Sequence, residues 1–361
     1  VRLLASDIVT LYRPSECELR FYLRARQEPE MELSEFDKVL RRLGIRHERA
    51  HLATFGAHLD LSGVPEDDRV QQTRNAIVNG VPVIYQAAFS ADTTMDGTSI
   101  NIVGYPDFLI ADGGGYRLRD SKMSLRIDED NHPEIILQVQ LYGWLFERTT
   151  GQQPKAIEVH SGRGDIVQVP YDGGKAALAK LRNLILLKNL GSEPYEPVGW
   201  SKCGGCGYNE RCWSKAESEK STATIPDVDQ SLARELHSQG ILSRTDLLAK
   251  YDTTTLEILK RPQGGRLAKV GKKAERILLQ ARLLESGQEQ IIGVPQIPQF
   301  ENYVMFDLEG MPPHLSEIDK IYLWGIQVFG TKPSNFMPAV AAFGADGDKW
   351  GIRSKVNAIP V

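Results

Sequence analysis

Residues 104–124 read GYPDFLIADGGGYRLRDSKMS, and the organisation of the chain follows outward from them. Apolar and polar residues alternate on either side of a glycine break, the pattern of two strands joined as a hairpin. Asp107 and Asp120 stand 13 positions apart, a hairpin's length, so their carboxylates can converge at one end of the sheet. Two carboxylates suit a hard divalent cation that keeps several waters. Lys122, two residues after Asp120, shares its strand face. There an ammonium can orient an attacking water or stabilise charge on a phosphate. The plainer reading of Asp120 and Lys122 is an ion pair on an edge strand.

On the N-terminal side, the opening segment reads as helical to about Glu28. A longer helix follows from Leu33 to about Phe55, with Leu40, Leu43, His47 and Ala50 on one face. From Val81 the pattern turns to strands: VPVIYQAAFSA, then TSINIVGYPDFLIAD as one strand, then GGYRLRDSKMS. On the C-terminal side, ILQVQLYGWLFERTTG and AALAKLRNLILLKNLG have helical periodicity, with strands KAIEVHSG and DIVQVPY between them. Residues 1–222 are therefore expected to be α/β, a mixed central sheet flanked by helices. Ser214–Thr224 has no apolar face and reads as a linker. Residues 223–293 read as all-helical, and GVPQIPQF as a hinge. YVMFDLEG and IYLWGIQVFG follow as two strands of a third segment, 294–361.

Composition sets the outer limits. The 361 residues suggest two or three domains. Hydrophobic residues at 41% and charged residues at 25% are ordinary for a folded soluble protein. No apolar run spans a bilayer and the N-terminus lacks a signal-peptide pattern, so a cytoplasmic protein without membrane partners is expected. With 43 Lys and Arg against 47 Asp and Glu, the formal charge of −4 does not advertise nucleic-acid binding. Leu256–Glu285, however, holds eight Lys and Arg against three Glu.

The four cysteines are Cys17, Cys203, Cys206 and Cys212. The last three form CxxCx5C in a glycine-rich loop, and thiolates in such a loop suit iron–sulfur or zinc. CxxC spacing by itself leans towards zinc. His47, Glu48 and His51 also spell HExxH, which on a helix places two imidazoles on one face for zinc. A third zinc ligand is missing: Thr54 and Ala57 stand where the longer pattern needs Gly and His, and His58 is one position off. The chain after Gly56 is expected to turn into loop.

Together these pieces resemble the RecB-like PD-(D/E)xK nucleases. His47 in LGIRHE, Asp107 in GYPDF, Asp120 with Lys122, and Gln138 through Tyr142 in QVQLY come in that family's order. Cys17 ahead and CxxCx5C behind are similar to its iron–sulfur branch, which includes CRISPR-associated RecB-type exonucleases. The resemblance covers about residues 1–215. It implies a restriction-endonuclease-like core and a [4Fe–4S] cluster on the four cysteines, stapling the first helix to the domain's end. It implies Mg²⁺ or Mn²⁺ on His47, Asp107 and Asp120, with Lys122 catalytic and Gln138 and Tyr142 holding DNA or supporting the site. The activity implied is metal-dependent cleavage of DNA, as an exonuclease on single-stranded ends, with a helicase as a further partner. A non-catalytic nucleic-acid-binding module with a structural metal cluster, and an HExxH zinc protease, are the alternatives.

Val270–Arg282 resembles the second half of a helix–hairpin–helix DNA-binding unit. Gly271 opens the turn, Lys272 and Lys273 add charge, and Lys269 stands where a glycine is expected. Asp307 and Glu309 in FDLEG resemble the first metal-binding motif of ribonuclease H-like exonucleases. With 52 residues after Glu309, that domain is expected to be incomplete.

Overall fold

The computed structural model describes residues 1–32, 34–263, 265–294, 296, 298–310 and 321–340. The chain begins with β1 (Arg2–Leu4), α1 (Ser6–Tyr12), α2 (Glu18–Ala25), α3 (Glu35–Leu52), β2 (Leu59–Asp60) and α4 (Glu66–Val78). The central strands are β3 (Val83–Tyr85), β4 (Phe89–Met95), β5 (Thr98–Gly104), β6 (Phe108–Asp112) and β7 (Gly115–Ser121). Then come α5 (Pro133–Thr150), β8 (Ala156–His160), β9 (Ile166–Val169), α6 (Lys175–Lys188) and α7 (Asn209–Ser218). A second group holds α8 (Gln230–Ser238), α9 (Arg244–Lys250), α10 (Thr253–Ile258), β10 (Lys260–Gln263), β11 (Arg266–Lys269) and α11 (Lys273–Ser286). The last strands are β12 (Asn302–Gly310), β13 (Ile321–Gly330) and β14 (Met337–Val340).

The first 169 residues build two sheets. One has six strands in the order β2-β3-β6-β7-β8-β9, the other three in the order β1-β5-β4. In the larger sheet β2–β3 and β7–β8 run parallel and the remaining pairs antiparallel. Parallel neighbours need a crossover, and α5 is the crossover from β7 to β8. It touches β4 and β5 of the small sheet and β7, β8 and β9 of the large one. A helix enclosed in this way must be apolar nearly all round. Ile135, Val139, Leu141, Tyr142, Leu145 and Phe146 are all buried in the main core. Gly104 lets β5 approach α5, since a Cβ there would lie 2.6 Å from a Leu145 methyl and 2.9 Å from the Tyr142 ring.

Five sequence expectations need correction. The opening residues are not helical throughout: Arg2–Leu4 pairs in parallel with β5 before α1 begins. TSINIVGYPDFLIAD is not one strand. It leaves one sheet at Gly104 and enters the other at Phe108, because Pro106 has no amide to donate to a ladder. That break is what sets Asp107 at the entrance of β6. The chain after Gly56 re-forms a helix, α4, before the first central strand.

Ser214–Thr224 is not a linker. It contains the end of α7 and a 3₁₀ turn at Thr222–Thr224 whose three residues are buried. Ala216, Ala223 and Ile225 join Val198, Leu232, Leu236, Leu247, Leu256, Ile277 and Leu278 in a second core. Nor is 223–293 all-helical: β10 and β11 form an antiparallel hairpin between α10 and α11. Pro262 and the glycine at 265, whose φ is +76°, favour an extended ribbon and its turn over a continued helix.

The third segment forms the two expected strands. β12 pairs antiparallel with β13, Asp307 opposite Gly325 and Glu309 opposite Leu323, and β14 extends the sheet. Residues 311–320 and 341–361 of that segment, and positions 295 and 297 of the expected hinge, lie outside the described residues.

Candidate active site

Asp107 and Asp120 meet where β6 begins and β7 ends. Both are buried, Asp107 8% and Asp120 2% exposed. Asp107 Oδ2 accepts the Ser121 amide at 2.7 Å, and its Oδ1 accepts Gln86 Nε2 at 2.8 Å. Lys122 Nζ lies 2.5 Å from Asp120 Oδ2. Its amide donates to the His160 carbonyl at 2.9 Å, carrying the β7–β8 pairing one residue past β7. Burial, then the neighbouring Asp120 charge and Glu48, push the Asp107 carboxyl well above its usual range, against Lys122. Burial disfavours the charged Lys122, but Asp120, Asp107 and Glu48 outweigh it and raise its pKa. The acids thus hold the proton on Lys122, while Asp107 is pushed towards its neutral form.

The floor of the site is α5. Gln138 Nε2 donates to the Tyr142 hydroxyl at 2.8 Å, while Gln138 Oε1 is buried with no partner. Burial, and after it Asp120 and Asp107, hold the Tyr142 hydroxyl protonated well above the usual phenol range. The two α5 residues singled out in the sequence are therefore brought to the carboxylates.

α3 supplies the opposite wall. Glu48 Oε1 accepts Tyr85 OH at 2.7 Å and Gln86 Nε2 at 2.6 Å. Gln86, held at φ +54°, thus ties Glu48 to Asp107 through one amide. Glu48 was legible only as part of HExxH; Gln86 carried no sequence signal. The His47 ring stacks on His160 at 4.4 Å and His51 stacks on the same ring at 3.8 Å. Two coplanar rings cannot share one face of an imidazole, so His160 is sandwiched between them. This excludes a zinc ion shared by His47 and His51 and corrects the protease reading. His51 Nε2 instead accepts from Arg119 at 3.1 Å, and Arg119 is fixed by Glu158 at 2.7 Å. Burial, then Arg119 and His47, lower the His51 pKa to about 4; burial, then the two other imidazoles, lower that of His160 to about 4. His47 Nε2 is buried without a partner.

Among the described residues no three His, Cys, Asp or Glu side chains converge on one point as a metal ion requires. The carboxylates are turned onto Gln86, the Ser121 amide and Lys122. The donor set still fits a hard divalent cation, which takes one or two carboxylates and completes its shell with water and phosphate oxygens.

The cysteines gather apart from these residues. Cys17 caps α2, its Sγ accepting the Arg20 amide at 3.4 Å. It lines one cavity with Cys203, Cys206 and Cys212, together with Arg20, Lys202 and Glu196. All four are free thiols. Burial, and then Cys17, Cys203 and Cys206, push the Cys212 thiol up to about 11. So chain positions 186 residues apart do meet.

Elsewhere, Lys269 ends β11, Lys272 precedes α11 and Lys273 opens it, all three exposed. The β10–β11 ribbon between α10 and α11 replaces the short turn of a helix–hairpin–helix. Asp307 and Glu309 lie exposed on β12, remote in sequence from the other acids.

The profile of the PD-(D/E)XK nuclease superfamily matches residues 20–213, more than half of the chain, and the chain belongs to that superfamily. Membership implies a metal-dependent phosphodiester hydrolase acting on nucleic acid, with divalent ions such as Mg²⁺ or Mn²⁺. No curated protein matches the sequence. Among solved structures, SSO0001 is similar at 16% identity and TM-score 0.31, over 59% of this chain and 86% of that one. A candidate exonuclease from Eubacterium rectale is similar at 13% identity and TM-score 0.36, over 58% and 87%. No described helix is long and apolar enough to cross a membrane.

Proposed function

We propose that the protein is a DNA exonuclease of the RecB-like iron–sulfur branch, cutting single-stranded ends with Mg²⁺ or Mn²⁺. The observation that carries this reading is the buried Asp107–Asp120 pair with Lys122 beside it. A purely binding module has no use for two acids whose repulsion is left inside a nucleic-acid site. Asp107, Asp120 and the unpartnered His47 Nε2 are the donors for the catalytic cation, with Glu48 one amide away. When bound, the cation supplies Lewis-acid stabilisation of the scissile phosphate. Lys122 orients the attacking water and stabilises negative charge on the phosphate, while Gln138 and Tyr142 hold the site from below.

Cys17, Cys203, Cys206 and Cys212 are assigned to a [4Fe–4S] cluster. Four thiols around one cavity suit it, since a cluster spreads its ligands wider than a single ion does. Lys269, Lys272 and Lys273 contact DNA phosphates. Asp307 and Glu309 are the start of a ribonuclease H-like unit, and a helicase is the partner that would deliver single-stranded ends.

The test is calorimetric titration of chelator-treated protein with Mn²⁺, beside cleavage of a labelled oligonucleotide. Binding and cleavage should both be lost in Asp107→Ala and Asp120→Ala. Cleavage that survives chelation, or either variant, contradicts the assignment.

A further inference from the structure

The outer face of the β10–β11 hairpin has a composition that folding alone does not explain. Strand pairing sets Lys260 opposite Lys269, Arg261 opposite Ala268, Pro262 opposite Leu267 and Gln263 opposite Arg266. Side chains alternate between faces along a strand. Arg261 and Ala268 therefore form the inner face. Arg261 is buried and ion-paired at 2.6 Å with Asp229, the residue that caps α8. That anchor fixes the ribbon on the helical core.

The outer face holds two lysines side by side and, beyond them, Pro262 and Leu267, the latter 68% exposed. Like charges directly opposite each other destabilise a strand pair. Neither lysine has an ion-pair partner among the described residues. An exposed apolar pair next to an uncompensated cationic pair is costly on a two-stranded ribbon that only solvent covers. A polyanion with an apolar interior edge would relieve both.

We propose that this ribbon docks the duplex flank of a DNA substrate, with Lys260 and Lys269 on phosphates and Pro262 and Leu267 entering the groove. A two-stranded ribbon fits the major groove of B-form DNA. There apolar side chains such as those of Leu267 and Pro262 can pack on the thymine methyl groups that line the groove. Single-stranded DNA is instead gripped by aromatic stacking, and Lys260, Pro262, Leu267 and Lys269 include no aromatic ring. The deep, narrow major groove of duplex RNA does not admit such a ribbon. Lys272 and Lys273 continue the positive charge onto the start of α11. The proposal rests on the nuclease reading for its class of substrate, but not on which end is cut.

Binding of the full chain to a blunt DNA duplex and to oligo(dT) of equal length, in chelator, is measured by fluorescence anisotropy over a salt series. Lys260→Gln should lower the log–log salt slope for duplex by about 0.9, the value for one lost phosphate contact, and leave oligo(dT) affinity unchanged. Leu267→Ser should weaken duplex binding without changing the slope. Lys260→Glu faces Lys269 with an opposite charge. It should weaken duplex binding while melting at the wild-type temperature or above, which separates docking from folding. Unchanged duplex binding, or equal losses on duplex and oligo(dT), overturns the proposal. A wild-type chain that cuts single strands but does not bind duplex overturns it while sparing the nuclease reading. One that neither binds nor cuts any DNA overturns both.

Discussion

Gly162→Ala should damage catalysis as well as folding, although residue 162 touches neither acid. Beyond the end of β8, the Gly162 amide donates to the Ser124 carbonyl at 2.9 Å, and the Lys122 amide donates to the His160 carbonyl at 2.9 Å. The segments that follow β7 and β8 are thereby zipped together around Met123. A Cβ on Gly162 would stand 2.1 Å from the Met123 carbonyl oxygen and 2.7 Å from its carbon. Both are backbone atoms, so no rotamer relieves the clash, and the two segments must part by about 1 Å in a close-packed surround. Met123 adjoins Lys122, so the displacement reaches the ammonium beside Asp120. A misplacement of about 1 Å can cost about 10²-fold in rate, whereas overpacking costs about 1–3 kcal/mol of stability. Single-turnover cleavage of a labelled oligonucleotide in Mg²⁺, beside denaturant unfolding, separates the two effects. Gly44→Ala is the control: its Cβ would meet nothing within 4 Å in α3, and it should gain about 0.5–1 kcal/mol. Wild-type cleavage and unfolding in Gly162→Ala would refute the claim that this junction positions Lys122.

Other consequences can be checked in parallel. Cys17→Ala should lower iron content and the melting temperature of the 1–222 region together, because it unclips α2 from the loop before α7; full iron and an unchanged melt would remove Cys17 from the cluster. His47→Ala should impair cleavage most in Mn²⁺, for which imidazole is a better ligand than for Mg²⁺, and His51→Ala should matter far less; equal losses would count against His47 as the donor. Folding stability should rise with pH between about 4 and 6.5, because His51 and His160, lowered to about 4 in the fold, take up protons there chiefly when unfolded. That contribution is complete above the unfolded value and lost as pH falls towards 4. A His51→Gln/His160→Gln variant should flatten the dependence, and one as steep as wild type would show that the imidazoles are not its source.

The grouping of the candidate site's residues was more legible than its frame. Asp107, Asp120 and Lys122 could be read because strand periodicity and a glycine break specify which residues lie together at the end of a hairpin. The meeting of Cys17 with the later cysteines was expected from family resemblance, and the geometry brings them to one cavity. What escaped reading depends on tertiary closure. His160 stands at the end of an ordinary strand, and only the β7–β8 register turns it towards His47 and His51. Gln86 acquires its bridging role from a left-handed backbone that no local pattern announces. Ser214–Thr224 looked like a linker because its few small residues, Ala216 and Ala223, find their partners in helices downstream. Helical propensity in 253–273 concealed the ribbon, since LEILKR is compatible with either structure until Pro262 intervenes.

Lys122 gives the most direct test of the catalytic centre. Wild-type protein and Lys122→Ala, each with Mn²⁺, should be compared on one end-labelled single-stranded oligonucleotide for binding and for cleavage. The prediction is undiminished metal binding and near-normal DNA affinity, with cleavage reduced by about 10²–10³-fold or more, the loss typical of removing one aligned electrostatic stabiliser. Cleavage at the wild-type rate would contradict the assignment of the Asp107–Asp120–Lys122 cluster as the catalytic centre.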